Sequence, residues 1–71
     1  MTDWDLISEI GIYSGMNAKN SPVSFDGWIN AICLRSNGNG QFLYVISFVD
    51  NGTIFTRQMS NGQWLDWIQV K

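Results

Sequence analysis

The stretch that decides the fold is residues 41–67, which read QFLYVISFVDNGTIFTRQMSNGQWLDW. It holds three apolar runs separated by two Asn-Gly pairs. Asn-Gly is typical of two-residue hairpin turns, because a type I′ turn needs a positive φ at both central residues. Asn51-Gly52 and Asn61-Gly62 therefore predict a three-stranded antiparallel meander, on which the rest of the chain must pack or extend.

The flanking sequence adds a short helix and two more strands. Thr2 is placed as the N-cap of a helix over residues 3–9, because Asp5 follows three positions later and apolar residues recur at spacing three. The density of turn-forming residues in 16–27 predicts a loop that Phe25 pins to the core. The predicted fold is mainly β: one domain over residues 1–71, a small twisted antiparallel sheet with a short N-terminal helix. Its strands are expected near residues 11–15, 28–36, 41–49, 53–59 and 64–70.

Two of these strands are apolar on both faces. Residues 28–36 and 41–49 form a hairpin across a five-residue loop at 36–40, and large apolar side chains occupy odd and even positions alike. A sheet with one face in water should alternate apolar and polar residues. The second face therefore predicts a neighbouring chain or domain, and we favour this over a curled sheet that packs on itself.

Composition excludes several classes of function. The 71-residue chain is 45% apolar and 14% aromatic, with a net charge of −2 and four basic residues, so it lacks the basic surface of a nucleic-acid-binding protein. It has no His, and Cys33 is the only cysteine, which excludes an internal disulfide and a Cys/His metal cluster. No apolar run reaches the roughly 20 residues that span a bilayer, and the N-terminus does not resemble a secretory signal. For so small a core, oligomerisation is the remaining source of added stability.

The sequence does not support catalysis. A Ser/His/Asp or Cys/His site cannot form without His. The acidic residues, except Asp66, fall in a predicted cap, helix or turn, where they have local backbone roles. Cys33 lies between Ile32 and Leu34 on a strand and is expected to be a small buried hydrophobe. We therefore predict neither an enzyme nor a bound cofactor or metal.

Aromatic residues are the remaining candidates for ligand contact. Trp28 follows a polar loop and Tyr44 carries a hydroxyl, so these two are the predicted ligand-binding residues. Trp64 and Trp67 are predicted to be structural or interface residues with their rings on opposite faces, because positions i and i+3 of a strand differ in parity. Arg57 is expected to stack on an aromatic ring or pair with an acid.

The order of landmarks resembles the pyocin-knob type of domain found in phage tail fibres and phage-tail bacteriocins. Gly11-Ile12-Tyr13 is similar to the family's Gly-x-Tyr strand opening, and Asn20-Ser21-Pro22 to its Asn-x-Pro loop. Phe55-Thr56-Arg57 resembles its aromatic-x-Arg signature, and Trp64-Leu65-Asp66-Trp67 its closing Trp-x-x-Trp. The similarity covers nearly the whole chain, and the ordered set is more specific than any single motif.

The resemblance implies a place and partners for the chain. Such domains decorate homotrimeric fibres of the virion that face a host cell surface and its polysaccharides, beside other tail or fibre proteins. The expected function is therefore trimeric fibre assembly and recognition of a host-surface glycan. The alternatives are a purely structural trimerising domain of the fibre and a carbohydrate-binding module of a cell-wall hydrolase. Because the chain starts directly at the domain, a separate small protein, an excised domain and an internal start at Met1 all remain open.

Overall fold

The structure, a computed structural model, describes residues 2–35 and 41–71 and has the predicted class. It is mainly β: an antiparallel meander curled into a half-barrel, with one short N-terminal 3-10 turn at Trp4–Leu6. No helix in the described part of the chain is long and apolar enough to cross a membrane. The described residues form six strands: β1 (Gly11–Met16), β2 (Trp28–Arg35), β3 (Leu43–Val49), β4 (Ile54–Ser60), β5 (Gln63–Trp64) and β6 (Ile68–Gln69).

From β1 to β5, each strand pairs with the next along the chain. The sheet order is β1-β2-β3-β4-β5, and β6 also pairs with β4. One row of paired residues, which we call the central row, crosses the first four strands. In it Ile12 lies beside Ile32, Ile32 beside Ile46, and Ile46 beside Thr56. In this register, alternate side chains of β2 and β3 lie on opposite faces of the sheet. One set is buried inside the curl, and the other is exposed outside it. The loop predicted at residues 36–40 lies outside the described residues.

The N-terminal helix is shorter than predicted. Only Trp4–Leu6 is helical, and Ile7 is already extended at ψ 122°. The N-cap is Asp3 rather than Thr2, since the Asp3 carboxylate accepts a hydrogen bond from the Asp5 N–H at 2.9 Å. The Thr2 carbonyl instead accepts from the Lys19 N–H, so the segment before the turn is held extended by the loop. That tertiary pairing overrides the weak local preference for a helix.

The two Asn-Gly pairs form different turns. Asn61 and Gly62 have φ of 53° and 80°, which confirms the two-residue turn between β4 and β5. The same prediction is wrong for Asn51-Gly52, where only Gly52 has a positive φ, of 95°. There the Gly52 N–H donates to the Val49 carbonyl, and the Asn51 side chain accepts from the Thr53 N–H. The side-chain bond favours a three-residue loop with glycine in the left-handed position.

The predicted fifth strand is interrupted. The pairs Met59–Trp64 and Thr56–Ile68 leave two residues of β4 facing residues 65–67. Three residues opposite two is the count of a β-bulge, and the strand is divided into β5 and β6. The extra residue also reverses the parity of the residues after it, so the prediction that Trp64 and Trp67 lie on opposite faces is wrong.

The core fills the inside of the curl. Leu43 and Val45 are fully buried beside Cys33, and the side chain of the buried Ser47 donates to the Phe55 carbonyl at 3.1 Å. Trp4, the largest fully buried residue, packs in the same core from the N-terminal turn. The loop between β1 and β2 contributes partly buried side chains, including Phe25 as predicted.

The outside of the curl is apolar and exposed. Curling therefore does not hide the second face of the sheet within one chain. Eight large side chains of β1, β2 and β3, between 36% and 82% exposed, point outward: Ile12, Met16, Trp28, Ile32, Leu34, Tyr44, Ile46 and Phe48. We call these eight residues the outer face.

The turn between β4 and β5 supplies the first prediction. Gly62→Ala places a Cβ at a φ of 80° in open space, so the cost is backbone strain alone. We expect a loss of about 1–2 kcal/mol in the free energy of unfolding, measured by denaturant titration. Asn61→Gly is the control, since it keeps access to positive φ and should change stability by less than about 0.5 kcal/mol. Equal stability of Gly62→Ala and wild type would contradict the turn assignment.

Candidate functional site

A stacked cation joins β4 to the C-terminal segment. Arg57 is buried inside the curl, and its guanidinium carbon lies 4.1 Å from the ring centroid of Trp64 and 4.5 Å from that of Trp67. The bulge places both rings on the same cation. Guanidinium groups over indole faces are among the stronger cation–π pairs, and burial strengthens them further. We call these three residues the tryptophan clamp.

The clamp also holds the N-terminus. Arg57 donates from Nη1 to the Asp5 carboxylate and from Nη2 to the Trp4 carbonyl, both at 2.8 Å. Arg57 thus both stacks and pairs, the two roles expected for it. These contacts pair the charge of the buried arginine, which would otherwise be strongly unfavourable.

The indole N–H groups of the clamp bind backbone oxygens. Trp64 Nε1 donates to the Asp5 carbonyl at 3.2 Å, and Trp67 Nε1 donates to the Asn20 carbonyl at 3.0 Å. The Trp67 ring also meets the Trp4 ring edge-on, with centroids 6.1 Å apart. The clamp therefore fixes the N-terminal turn and the β1–β2 loop against the sheet.

A cleft opens where these segments meet. It has a volume of about 310 Å³, at the small end of the range for ligand sites. Its wall combines the clamp with polar side chains from three separate segments. The lining residues are Asp5, Asn20, Ser21, Arg57, Trp64, Leu65, Asp66 and Trp67. We call this depression the clamp cleft.

A second depression shares one wall with the clamp cleft. It measures about 370 Å³ and is lined by uncharged residues that include Trp4, Asn17, Ser24 and Phe25. Asn20 and Ser21 line both depressions. Asn20 has a φ of 58°, a left-handed conformation that asparagine tolerates better than most residues.

Asp3 fixes the shared wall. Asn20 donates from its side-chain amide to the Asp3 carboxylate at 2.9 Å. This bond, with the backbone N–H of Asp5, lowers the pKa of Asp3 below the ordinary value of 3.8. The ionised form is therefore favoured in the folded protein, and the contribution of Asp3 to stability is lost as the pH falls through its lowered pKa.

The two predicted ligand-binding residues lie elsewhere. Trp28 and Tyr44 are on the outer face, 48% and 40% exposed. Trp28 begins β2, whereas Tyr44 is paired with Leu34 near the other end of that strand. Six residues of strand separate those positions by roughly 20 Å, so the structure does not bring Trp28 and Tyr44 into one site.

Grouped metal ligands are absent from the described part of the chain, and its cysteine is buried. Among residues 2–35 and 41–71, no three Cys, Asp or Glu side chains are grouped closely enough to hold a metal ion. Burial raises the pKa of the Cys33 thiol, against a smaller opposing effect of Arg35. Cys33 is 1% exposed, so the neutral thiol packs as a small apolar side chain, as predicted.

No family model, curated protein or solved structure matches this chain.

The sequence indicates the clamp residues but not the cleft. Trp64, Trp67 and Arg57 are predicted from it as structural, whereas Asn20, Ser21 and Asp66 are not assigned to a site. Of the acidic residues, Asp66 alone lies outside a predicted cap, helix or turn. This position is the one feature of the sequence that could have indicated a role for Asp66 in a site. The bulge that brings Asp66 beside the loop has no Gly or Pro to mark it.

Removing the cation of the clamp should strongly destabilise the fold. Arg57→Ala removes two charged hydrogen bonds and two ring contacts, for which we expect a loss of about 2–4 kcal/mol in the free energy of unfolding. Arg35→Ala is the matched control, because its contact with Glu9 is 3.8 Å long and the Glu9 side chain is 77% exposed, and such pairs contribute about 0–1 kcal/mol. Denaturant unfolding measures both. Equal losses in the two variants would contradict the central role of the clamp.

Cys33 should be protected from thiol reagents. The raised pKa and the burial of the side chain both suppress the reactive thiolate in the folded chain. We expect a thiol-specific chromogenic disulfide to react with Cys33 slowly in buffer and rapidly in denaturant, as followed by absorbance. Equal rates in the two conditions would show that the strand carrying Cys33 is not buried as described.

Proposed function

We propose that this chain is a domain of a phage tail fibre or receptor-binding protein, which assembles as a homotrimer and contributes to host-surface glycan recognition. It acts without catalysis and without a cofactor, on the virion side that faces the host. The observation that carries the proposal is the exposed apolar outer face. The motif resemblance supplies the trimeric order and the fibre setting.

The size of the outer face supports assembly. At about 100 Å² for a half-exposed large side chain, its eight residues present roughly 800 Å². The largest apolar patch on a typical monomer is about 300–600 Å², whereas one partner in a standard protein interface contributes about 800 Å². Ile12, Ile32 and Ile46 lie side by side in the central row, so the patch is continuous.

Glycan contact by the outer face competes with this assembly. Trp28 and Tyr44 belong to the same surface as the central isoleucines. If that surface is covered by other copies, the two aromatic residues contribute to the interface rather than to ligand binding. This favours, as a second candidate, a purely structural trimerising role for the outer face.

The assembly is tested by the native mass in solution. We expect sedimentation equilibrium to give three times the 8.1 kDa mass of the chain for the wild type. Ile46→Lys places a charge at the centre of the outer face and should yield a folded monomer, because an unpaired charge in an apolar interface is strongly unfavourable. Circular dichroism of the same sample checks that the variant is folded.

Asp50→Lys is the matched control for added positive charge. Asp50 is exposed in the turn after β3 and does not belong to the outer face. The control should keep the mass of the wild type. A monomeric wild type, or a trimer that survives Ile46→Lys, would overturn the proposed interface.

A further inference from the structure

We propose that the clamp cleft binds a neutral saccharide unit, with the Asp66 carboxylate as its principal hydrogen-bond acceptor. This inference rests on the proposed function, because it names the glycan class and places its site on the opposite side of the sheet from the outer face. The donors and acceptors of the cleft, its charge and its aromatic walls support it.

The donors of the cleft are largely used by the protein. The indole N–H groups of Trp64 and Trp67 bind backbone carbonyls, and the Asn20 amide donates to Asp3. The Ser21 hydroxyl donates to the Val23 carbonyl at 2.9 Å, which leaves its oxygen as an acceptor. A ligand that enters the cleft therefore meets mainly acceptors.

The acceptors carry negative charge. Asp66 is exposed and lines the cleft beside Asp5, whose side chain is 42% exposed although it pairs with Arg57. Because Asp5 is paired with Arg57, Asp66 gives the cleft one net negative charge, which disfavours phosphorylated, sulfated or uronate ligands by charge repulsion. Hydroxyl groups of a neutral sugar complement the two carboxylates, because hydrogen bonds to an ionised carboxylate are about twice as strong as neutral ones.

The aromatic walls suit the apolar face of a sugar ring. Trp64 and Trp67 remain partly exposed at the cleft while each stacks on Arg57. Sites for small polar ligands typically join aromatic surface to a few fixed polar groups, and the clamp fixes these rings before any ligand arrives. The volume of about 310 Å³ suits one small polar unit rather than a polymer segment.

One polar group at this site has no partner in the described residues. Arg57 lines the cleft and is only 6% exposed, yet its Nε–H has no acceptor among them. Buried donors are rarely left unsatisfied, because the loss of solvation is unfavourable. This nitrogen is closed to solvent, so a saccharide in the cleft would bind through its O–H groups, which can donate to the carboxylates of Asp66 and Asp5.

Proton–nitrogen correlation spectra of the full chain test this proposal. The probes are oligosaccharides of glucose, galactose, rhamnose and N-acetylglucosamine, added separately, with oligogalacturonate as the anionic arm. We expect at least one neutral probe to shift the indole N–H signals of Trp64 and Trp67 in a saturable way, with no saturable shift from oligogalacturonate. Calcium chloride alone serves as the control for simple cation binding to the carboxylates.

Asp66→Ala identifies the acceptor. Its side chain has no hydrogen bond or ion pair with the described residues, so the fold should tolerate the change. We expect the dissociation constant of the shifting probe to rise about tenfold or more, as for a lost hydrogen bond to a charged group. Asp50→Ala, which removes a carboxylate from an exposed turn outside the cleft, should leave the dissociation constant unchanged.

Several outcomes overturn the inference. The proposed ligand class is wrong if calcium chloride alone reproduces the shifts. It is also wrong if oligogalacturonate binds more tightly than every neutral probe. If the shifts are confined to Trp28 and the rest of the outer face and are unaffected by Asp66→Ala, the saccharide binds there and not in the clamp cleft. The proposed glycan recognition would then still hold. If no probe shifts any signal, the saccharide site in the clamp cleft fails, whereas the proposed assembly is decided separately by the native mass of the wild type.

Discussion

The guanidinium of Arg57 is the contact on which the rest of the structure depends, because it joins both ends of the chain to the middle of the sheet. It binds Asp5 and the Trp4 carbonyl on one side, and it lies between the rings of Trp64 and Trp67. A buried charge without partners would be strongly unfavourable. The N-terminal turn and the C-terminal bulge are thus held in the positions that satisfy this one side chain.

The same contact explains how so short a chain closes its core. No described helix is long enough to cover the inside of the curled sheet, and that task falls to Trp4, the β1–β2 loop and the clamp. These segments come from distant parts of the sequence and meet around Arg57 and Trp67. These segments form a single layer over the sheet, and this layer lies entirely on its inner side. The outer face is consequently left without cover in a single chain.

Local sequence patterns were sufficient where the relevant physics is local. Residues 28–36 and 41–49 were predicted as strands with two apolar faces and correspond to β2 and β3, and Asn61-Gly62 predicted the correct turn. The errors arose where a tertiary contact decides. Thr2 is held by Lys19 rather than capping a helix, and the Asn51 side chain bonds to Thr53 and lengthens its loop.

The bulge at residues 65–67 is the most consequential of these errors. Trp64 and Trp67 were predicted on opposite faces because residues i and i+3 of a regular strand point in opposite directions. That rule holds only for an uninterrupted strand. One additional residue opposite β4 places both rings on Arg57 and turns Asp66 into the wall of a cleft. The cleft could not be predicted, because it exists only when three segments separated by tens of residues come together.

The position of the clamp cleft removes a conflict that the outer face alone would create. One apolar surface cannot be covered by neighbouring copies and also contact a host glycan through Trp28 and Tyr44. The clamp cleft lies on the inner side, where strand alternation points away from the outer face. In the proposed trimer, assembly and ligand binding can occur together, because each copy keeps its own cleft. Linked weak sites gain roughly 10²–10⁴ in avidity through effective concentration, so the proposed attachment does not require a deep site.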